Sequence, residues 1–241
     1  MTEEQTKILG HIEQHFVPLA KEVFAGNLTS IILYGSAVKG RFSDGISDIN
    51  ILILIGESRP DEIVAFGKRA AKLIQKNRIS PLIMTANDFT RSADVFPMEY
   101  LDIRNSRKVI YGEDVTEQLE ITKANLRHQV ESQLRGSITS IRGALLYGRG
   151  KEKTSKLFLK EWFGAQNALF RGLLRLKGEE EIPVEPEELA RVLGTAFGIS
   201  TDILLDIAKL RNGENLDPIL AVQGLLSLLT ELVGSVDSME A

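Results

Sequence analysis

Residues 33–54 read LYGSAVKGRFSDGISDINILIL, and the fold is decided by how this stretch alternates. Upstream, Leu28 to Tyr34 carries Ile31, Ile32 and Leu33, a run too short and too apolar for a surface helix, which predicts a buried strand ended by Gly35. Ser36 to Phe42 has room for one or two helical turns. Ser43, Asp44, Gly45 and Ser47 mark a polar loop, and Ile49 to Ile55 predicts a second buried strand. Side chains alternate across a strand, so Asp48 and Asn50 share one face while Ile49 and Ile51 point into the core.

That layout carries chemistry. A glycine where a strand meets a short helix lets the backbone approach a phosphate closely, and a following serine adds a hydroxyl beside the N–H groups of the helix start. Gly35 and Ser36 fit this description. Lys39 and Arg41 stand about one turn further on, where a cation reaches a triphosphate, although ordinary surface charge explains both. Two oxygen-bearing side chains at i and i+2, Asp48 and Asn50, suit Mg2+, which prefers oxygen ligands shared with substrate phosphates. A strand start with polar residues on its wet edge is the plainer explanation of the same pair.

Gly35-Ser36 followed by Asp48-Ile49-Asn50 across a strand-turn-strand resembles the signature of the nucleotidyltransferase superfamily with the DNA polymerase beta-like fold. The whole chain resembles the aminoglycoside nucleotidyltransferase-like branch, a small mixed sheet followed by a helical bundle. The resemblance implies that Gly35 and Ser36 bind the nucleotide, beside the positional candidate Lys39, that Asp48 is the first metal-binding acid, and that Mg2+ enters with a nucleoside triphosphate, ATP. It also implies transfer of a nucleotidyl group to a hydroxyl of a small molecule or protein. Asn50 stands where the second acid is expected, and Ile79 to Met84 offers no carboxylate where a third is usual. Glu99 or Asp102 in the segment PMEYLDI is the candidate replacement, and Glu131 and Glu161 are candidate bases from the helical part. The losses favour an alternative, a catalytically reduced nucleotide- or partner-binding regulator, sensor or antitoxin-like. A third reading keeps the fold as a purely structural, oligomerising module.

Outside the motif, the fold class expected is α+β. Ile8, Ile12, Phe16, Leu19 and Val23 predict one amphipathic helix over Glu3 to Phe24. Asp61 is expected to cap a helix over Glu62 to Gln75, and Ile79 to Met84 to form a third strand. Thr85 or Asn87 starts a short helix limited by Pro97, and Lys108 to Tyr111 forms a fourth, edge strand. The alternation then stops, which places a nucleotidyltransferase-like domain over 1–115 and an all-helical bundle over 116–241. One long helix carries Leu119, Leu126, Val130, Leu134, Ile138, Ile141 and Leu145. A second runs from Phe158 to Leu176, and three more cover Pro186 to Phe197, Thr201 to Leu210 and Pro218 to Val233.

Composition narrows the function classes. The 241 residues suffice for an adequate core, and the absence of cysteine excludes disulfides, thiolate metal sites and a cysteine nucleophile. A formal net charge of -4 with mixed signs gives no general attraction to nucleic acid. The acidic N-terminus and the lack of any apolar run of about eighteen residues predict a cytoplasmic protein without a membrane segment. His11 and His15, at i and i+4, have no third ligand at a recognisable spacing. Trp162 with Phe158, Phe163 and Phe170 reads as core before it reads as a platform for a ring-shaped acceptor. Leu220, Leu225, Leu229 and Leu232 on the last helix leave a homodimer open.

Overall fold

The computed structural model of the chain describes residues 3–38, 48–211 and 213–239. The chain divides into two compact units, Met1–Ile121 and Thr122–Ala241. The fold class is α+β: a four-stranded mixed sheet in the first unit and helices throughout the second.

The strands are β1 (Leu28–Tyr34), β2 (Ile49–Ile55), β3 (Ile79–Thr85) and β4 (Arg107–Gly112), in the order β3-β2-β1-β4. β1 pairs antiparallel with β2 and with β4, and β2 pairs parallel with β3. The parallel pair requires a crossover, which α3 (Pro60–Asn77) supplies. Pro60, rather than Asp61, sets the start of α3: its missing N–H falls in the first turn, where no helical bond is lost.

Both sheet faces are covered, which is why β1 and β2 read as nearly unbroken apolar runs. On one face Ile31, Leu33, Ile49, Ile51, Ile53 and Ile55 pack with Ile12, Phe16, Ala20, Phe24, Phe66 and Ala70. On the other, Ile32, Leu52 and Leu54 pack with Phe89, Tyr100, Ile103, Val115 and Leu119. The N-terminal helix is not continuous. A π-helical turn, Ile12–Phe16, separates α1 (Glu3–His11) from α2 (Val17–Phe24), just ahead of Pro18. After the wider turn Ala20 and Phe24 are fully buried, while Leu19 and Val23 pack partly buried against the same core.

The second sheet face is built by elements that local sequence pattern only half anticipates. Thr85 does cap α4 (Ala86–Arg91), accepting a hydrogen bond from the Asp88 N–H. Pro97, expected to end a helix, instead opens α5 (Pro97–Asn105), because proline suits a first turn as well as it stops a last one. A 3₁₀ turn, Val115–Gln118, follows β4, and Leu119 packs onto the sheet instead of starting the long helix. Asp114 caps this turn, accepting from the Thr116 N–H at 3.0 Å, the Thr116 Oγ1 at 2.6 Å and the Arg107 Nε at 2.6 Å. Burial raises the Asp114 carboxyl, but the hydrogen bonds from Thr116 and Arg107 outweigh it and hold the group below the ordinary carboxylate range. Its stabilisation is therefore present at neutral pH and is lost as pH falls through the lowered value. Asp114→Asn is expected to cost about 1 kcal/mol at pH 7, allowing for solvent screening. In urea melts, that difference from the parent shrinks below about pH 4.

The second unit contains α6 (Lys123–Gly148), α7 (Glu152–Ala165), α8 (Asn167–Leu176), α9 (Pro186–Phe197), α10 (Asp202–Arg211) and α11 (Pro218–Asp237). α7 and α8 replace the single helix expected from Phe158 to Leu176. They part at Gln166, and the apolar faces of both are buried, with Trp162 6% exposed and edge-on to Phe170. α11 corrects another expectation: by length and composition it is apolar enough to cross a membrane, with a mean hydropathy of 1.8 over eighteen residues. Here it packs against α6, α7 and α10. Leu225, Leu229 and Leu232 are buried within the unit, and of the four leucines proposed for a dimer surface only Leu220 is exposed. Arg127 donates to the Val236 and Asp237 carbonyls at the C-terminal end of α11, where the Val236 carbonyl also accepts from the Met239 N–H.

Candidate functional site

The sheet register assembles a polar row on the face that carries Leu52 and Leu54. Tyr34 stands opposite Asn50 on one side and Arg107 on the other, and Asn50 stands opposite Ser80. Arg107, Tyr34, Asn50 and Ser80 thus cross all four strands at one level. Burial raises the Tyr34 phenol above its ordinary value, so it stays protonated. Arg107 is committed to Asp114 and Glu117.

Gly35 leaves β1 at the edge of this row with φ +82°, the left-handed region that favours glycine. It opens a 3₁₀ turn, Gly35–Ala37. A Cβ on Gly35 would lie 3.1 Å from the Asn50 Nδ2, so the glycine is what lets the turn and the strand approach each other. Its N–H is not available to a phosphate: it donates to Ser106, to the carbonyl oxygen at 2.9 Å and to Oγ at 3.2 Å. Of Ser36 only the backbone is described, and Lys39 and Arg41 lie outside the described residues.

Ser106 is a site residue that sequence pattern does not reveal. It is buried, and its Oγ donates to the Asp102 carbonyl at 2.6 Å while accepting from Gly35. This ties the last turn of α5 to the glycine turn. No sequence signal announces a serine whose partner lies 71 positions away. Of the two replacement acids considered, Asp102 therefore belongs to the segment bonded to the turn, whereas Glu99 is exposed one turn earlier.

Asp48 is placed beside the row but is already engaged. Its Oδ1 accepts from the Arg78 Nε at 3.2 Å and lies 3.1 Å from the Arg78 Nη2. The pair arises from the parallel register: Ile49 pairs with Ile79, so the residues just before each strand, Asp48 and Arg78, are neighbours. The Ile49 N–H donates to the Arg78 carbonyl at 2.9 Å. Among the described residues no group of three or more His, Cys, Asp or Glu side chains is arranged to hold a metal ion. The donors at the expected metal position are one carboxylate on a guanidinium and one amide. That set does not fit a two-metal centre, in which several carboxylates gather the cations.

Comparison with known proteins agrees with this architecture. The chain is similar to the spectinomycin adenyltransferase AAD(9) from Enterococcus faecialis, solved with ATP and spectinomycin. The TM-score is 0.60 and the identity 14%, over 95% of this chain and 100% of that one. The chain has the nucleotidyltransferase fold. At that identity the likeness shows the fold alone, and no family model or curated protein matches the chain.

The candidate bases Glu131 and Glu161 belong to the second unit. Glu131 is ion-paired with Arg135 at 2.8 Å and with Arg127 at 3.8 Å, a structural role on α6. Glu161 is exposed on α7. The His11 and His15 ring centroids lie 4.4 Å apart with the rings tilted at 58°, His11 lies near Lys7, Gln14 and Lys76, and desolvation, His15 and Lys76 lower the His11 imidazole.

Proposed function

We propose that the first unit binds a nucleoside triphosphate, ATP, at the Gly35 turn and the Asn50 row, and that the protein transfers its nucleotidyl group to a hydroxyl of a small molecule or protein. The observation that carries this reading is the close approach of the Gly35 turn to Asn50 within a fold that a solved adenyltransferase shares along nearly its whole length. In the transfer, the acceptor oxygen bonds to the α-phosphorus, the bond from that phosphorus to the bridging oxygen breaks, and pyrophosphate leaves. The hydroxyl proton passes to a carboxylate, for which Asp102 and Glu99 of α5 are the candidates. Any Mg2+ arrives on the nucleotide's own phosphates.

A specific observation favours a second reading, a nucleotide-binding regulator without turnover. Asn50 and Ser80 occupy the row where carboxylates would gather a metal, and Asp48 is paired with Arg78. Isothermal titration with ATP and GTP, followed by a pyrophosphate-release assay with hydroxyl-bearing acceptors, tests both. Binding with release supports transfer. Binding with silence across the acceptors supports the regulator, and no binding of any nucleotide overturns both.

A further inference from the structure

We infer that Arg78 is the built-in counter-ion of Asp48, holding the carboxylate where a protein-bound divalent cation would otherwise sit, so that the protein itself retains no metal. The inference rests on the nucleotide reading only for its consequence, that a bound triphosphate meets a guanidinium at the strand ends.

Three observations converge on Arg78. First, two of its guanidinium nitrogens, Nε and Nη2, lie 3.2 and 3.1 Å from the same Asp48 oxygen, so a metal seeking that oxygen must displace both. Secondly, Arg78 is the residue that ends α3, with φ +51°, a backbone position where glycine is the usual choice. An arginine held in that conformation directs its side chain from the helix end to the start of the neighbouring strand. Thirdly, the row beyond Asp48 carries Asn50 and Ser80, both neutral, so the single negative charge of Asp48 is already balanced.

Stability does not account for the pair. Asp48 is 59% and Arg78 41% exposed in their side chains, and ion pairs so open to water contribute little to folding. The arrangement acts instead on what can bind. A carboxylate open to solvent beside an amide oxygen is a weak site for a hard cation, and a guanidinium lying on it removes the charge that would draw the cation in.

The test uses Mn2+ alone, with the full chain, followed by the loss of the free-ion electron paramagnetic resonance signal. Arg78→Gly suits the φ of position 78 and is expected to melt within a few degrees of the parent. It is expected to bind Mn2+ at least about tenfold more tightly than the parent, about 1.4 kcal/mol. That gain disappears when Asp48→Asn is added and grows when Asn50→Asp is added. Arg78→Lys, which keeps a cation, stays close to the parent. A parent that binds Mn2+ as tightly as Arg78→Gly overturns the inference, as does an Arg78→Gly protein that gains nothing. Because no nucleotide is present, a failure of the nucleotide reading leaves this result interpretable. A separate titration of ATP with and without Mg2+ reports the consequence, and the parent's affinity is expected to change by less than about threefold between the two.

Discussion

Gly112→Ala is expected to destabilise the first unit by about 3–5 kcal/mol, a large part of the 5–15 kcal/mol typical of a folded domain. Gly112 ends β4 with φ +76°, and a Cβ there would sit 2.0 Å from the Thr29 carbonyl oxygen and 2.9 Å from the Ser30 Cα. Both are backbone atoms of the central strand β1, so neither can swing aside. Ser30 lies opposite Gly112 and is fully buried, with its hydroxyl 3.0 Å from the Tyr111 carbonyl oxygen and 2.7 Å from that of Glu113. Moving β4 to admit a methyl group would break this contact along with the ladder. Chemical denaturation of the parent and the variant checks the figure. A loss below about 1 kcal/mol would mean that β4 and β1 are not so closely apposed.

Gly35→Ala is expected to reduce nucleotide affinity by more than about tenfold while costing about 1–2 kcal/mol of stability. The two effects separate because the obstruction differs from that at Gly112. At Gly35 the new methyl group meets the end of the Asn50 side chain, which can turn away, and the strand ladder stays intact. What is lost is the position of Asn50 and the left-handed backbone that starts the 3₁₀ turn, both of which the proposed nucleotide site uses. Calorimetric titration with ATP, set beside a thermal melt, distinguishes the cases. Unchanged affinity would place the nucleotide elsewhere in the molecule.

The sequence was most informative where the signal is local. β2 over Ile49–Ile55 and α9 over Pro186–Phe197 come directly from an apolar run bounded by turn residues and from a helical period opened by proline. It was less informative where one residue type supports two outcomes. Pro97 is compatible with ending one helix or beginning another, and only the packing of Tyr100 and Ile103 onto Ile32, Leu52 and Leu54 selects the second. The π turn at Ile12–Phe16 is a further case, since periodicity taken alone assumes an unbroken helix.

At the site the same division holds. The Gly35 turn and the shared face of Asp48 and Asn50 stem from residue type and strand alternation, which involve only near neighbours along the chain. The partners of those residues do not. Ser106 reaches Gly35 because β4 returns beside β1, and Arg78 reaches Asp48 because the α3 crossover sets β3 parallel to β2 in one register. By itself the sequence determined a nucleotidyltransferase-like strand-turn-strand with one acid kept and another replaced by asparagine. Only the tertiary structure decided that the remaining acid is balanced by an arginine. Register between strands is fixed by the packing of the whole sheet, which no local pattern encodes.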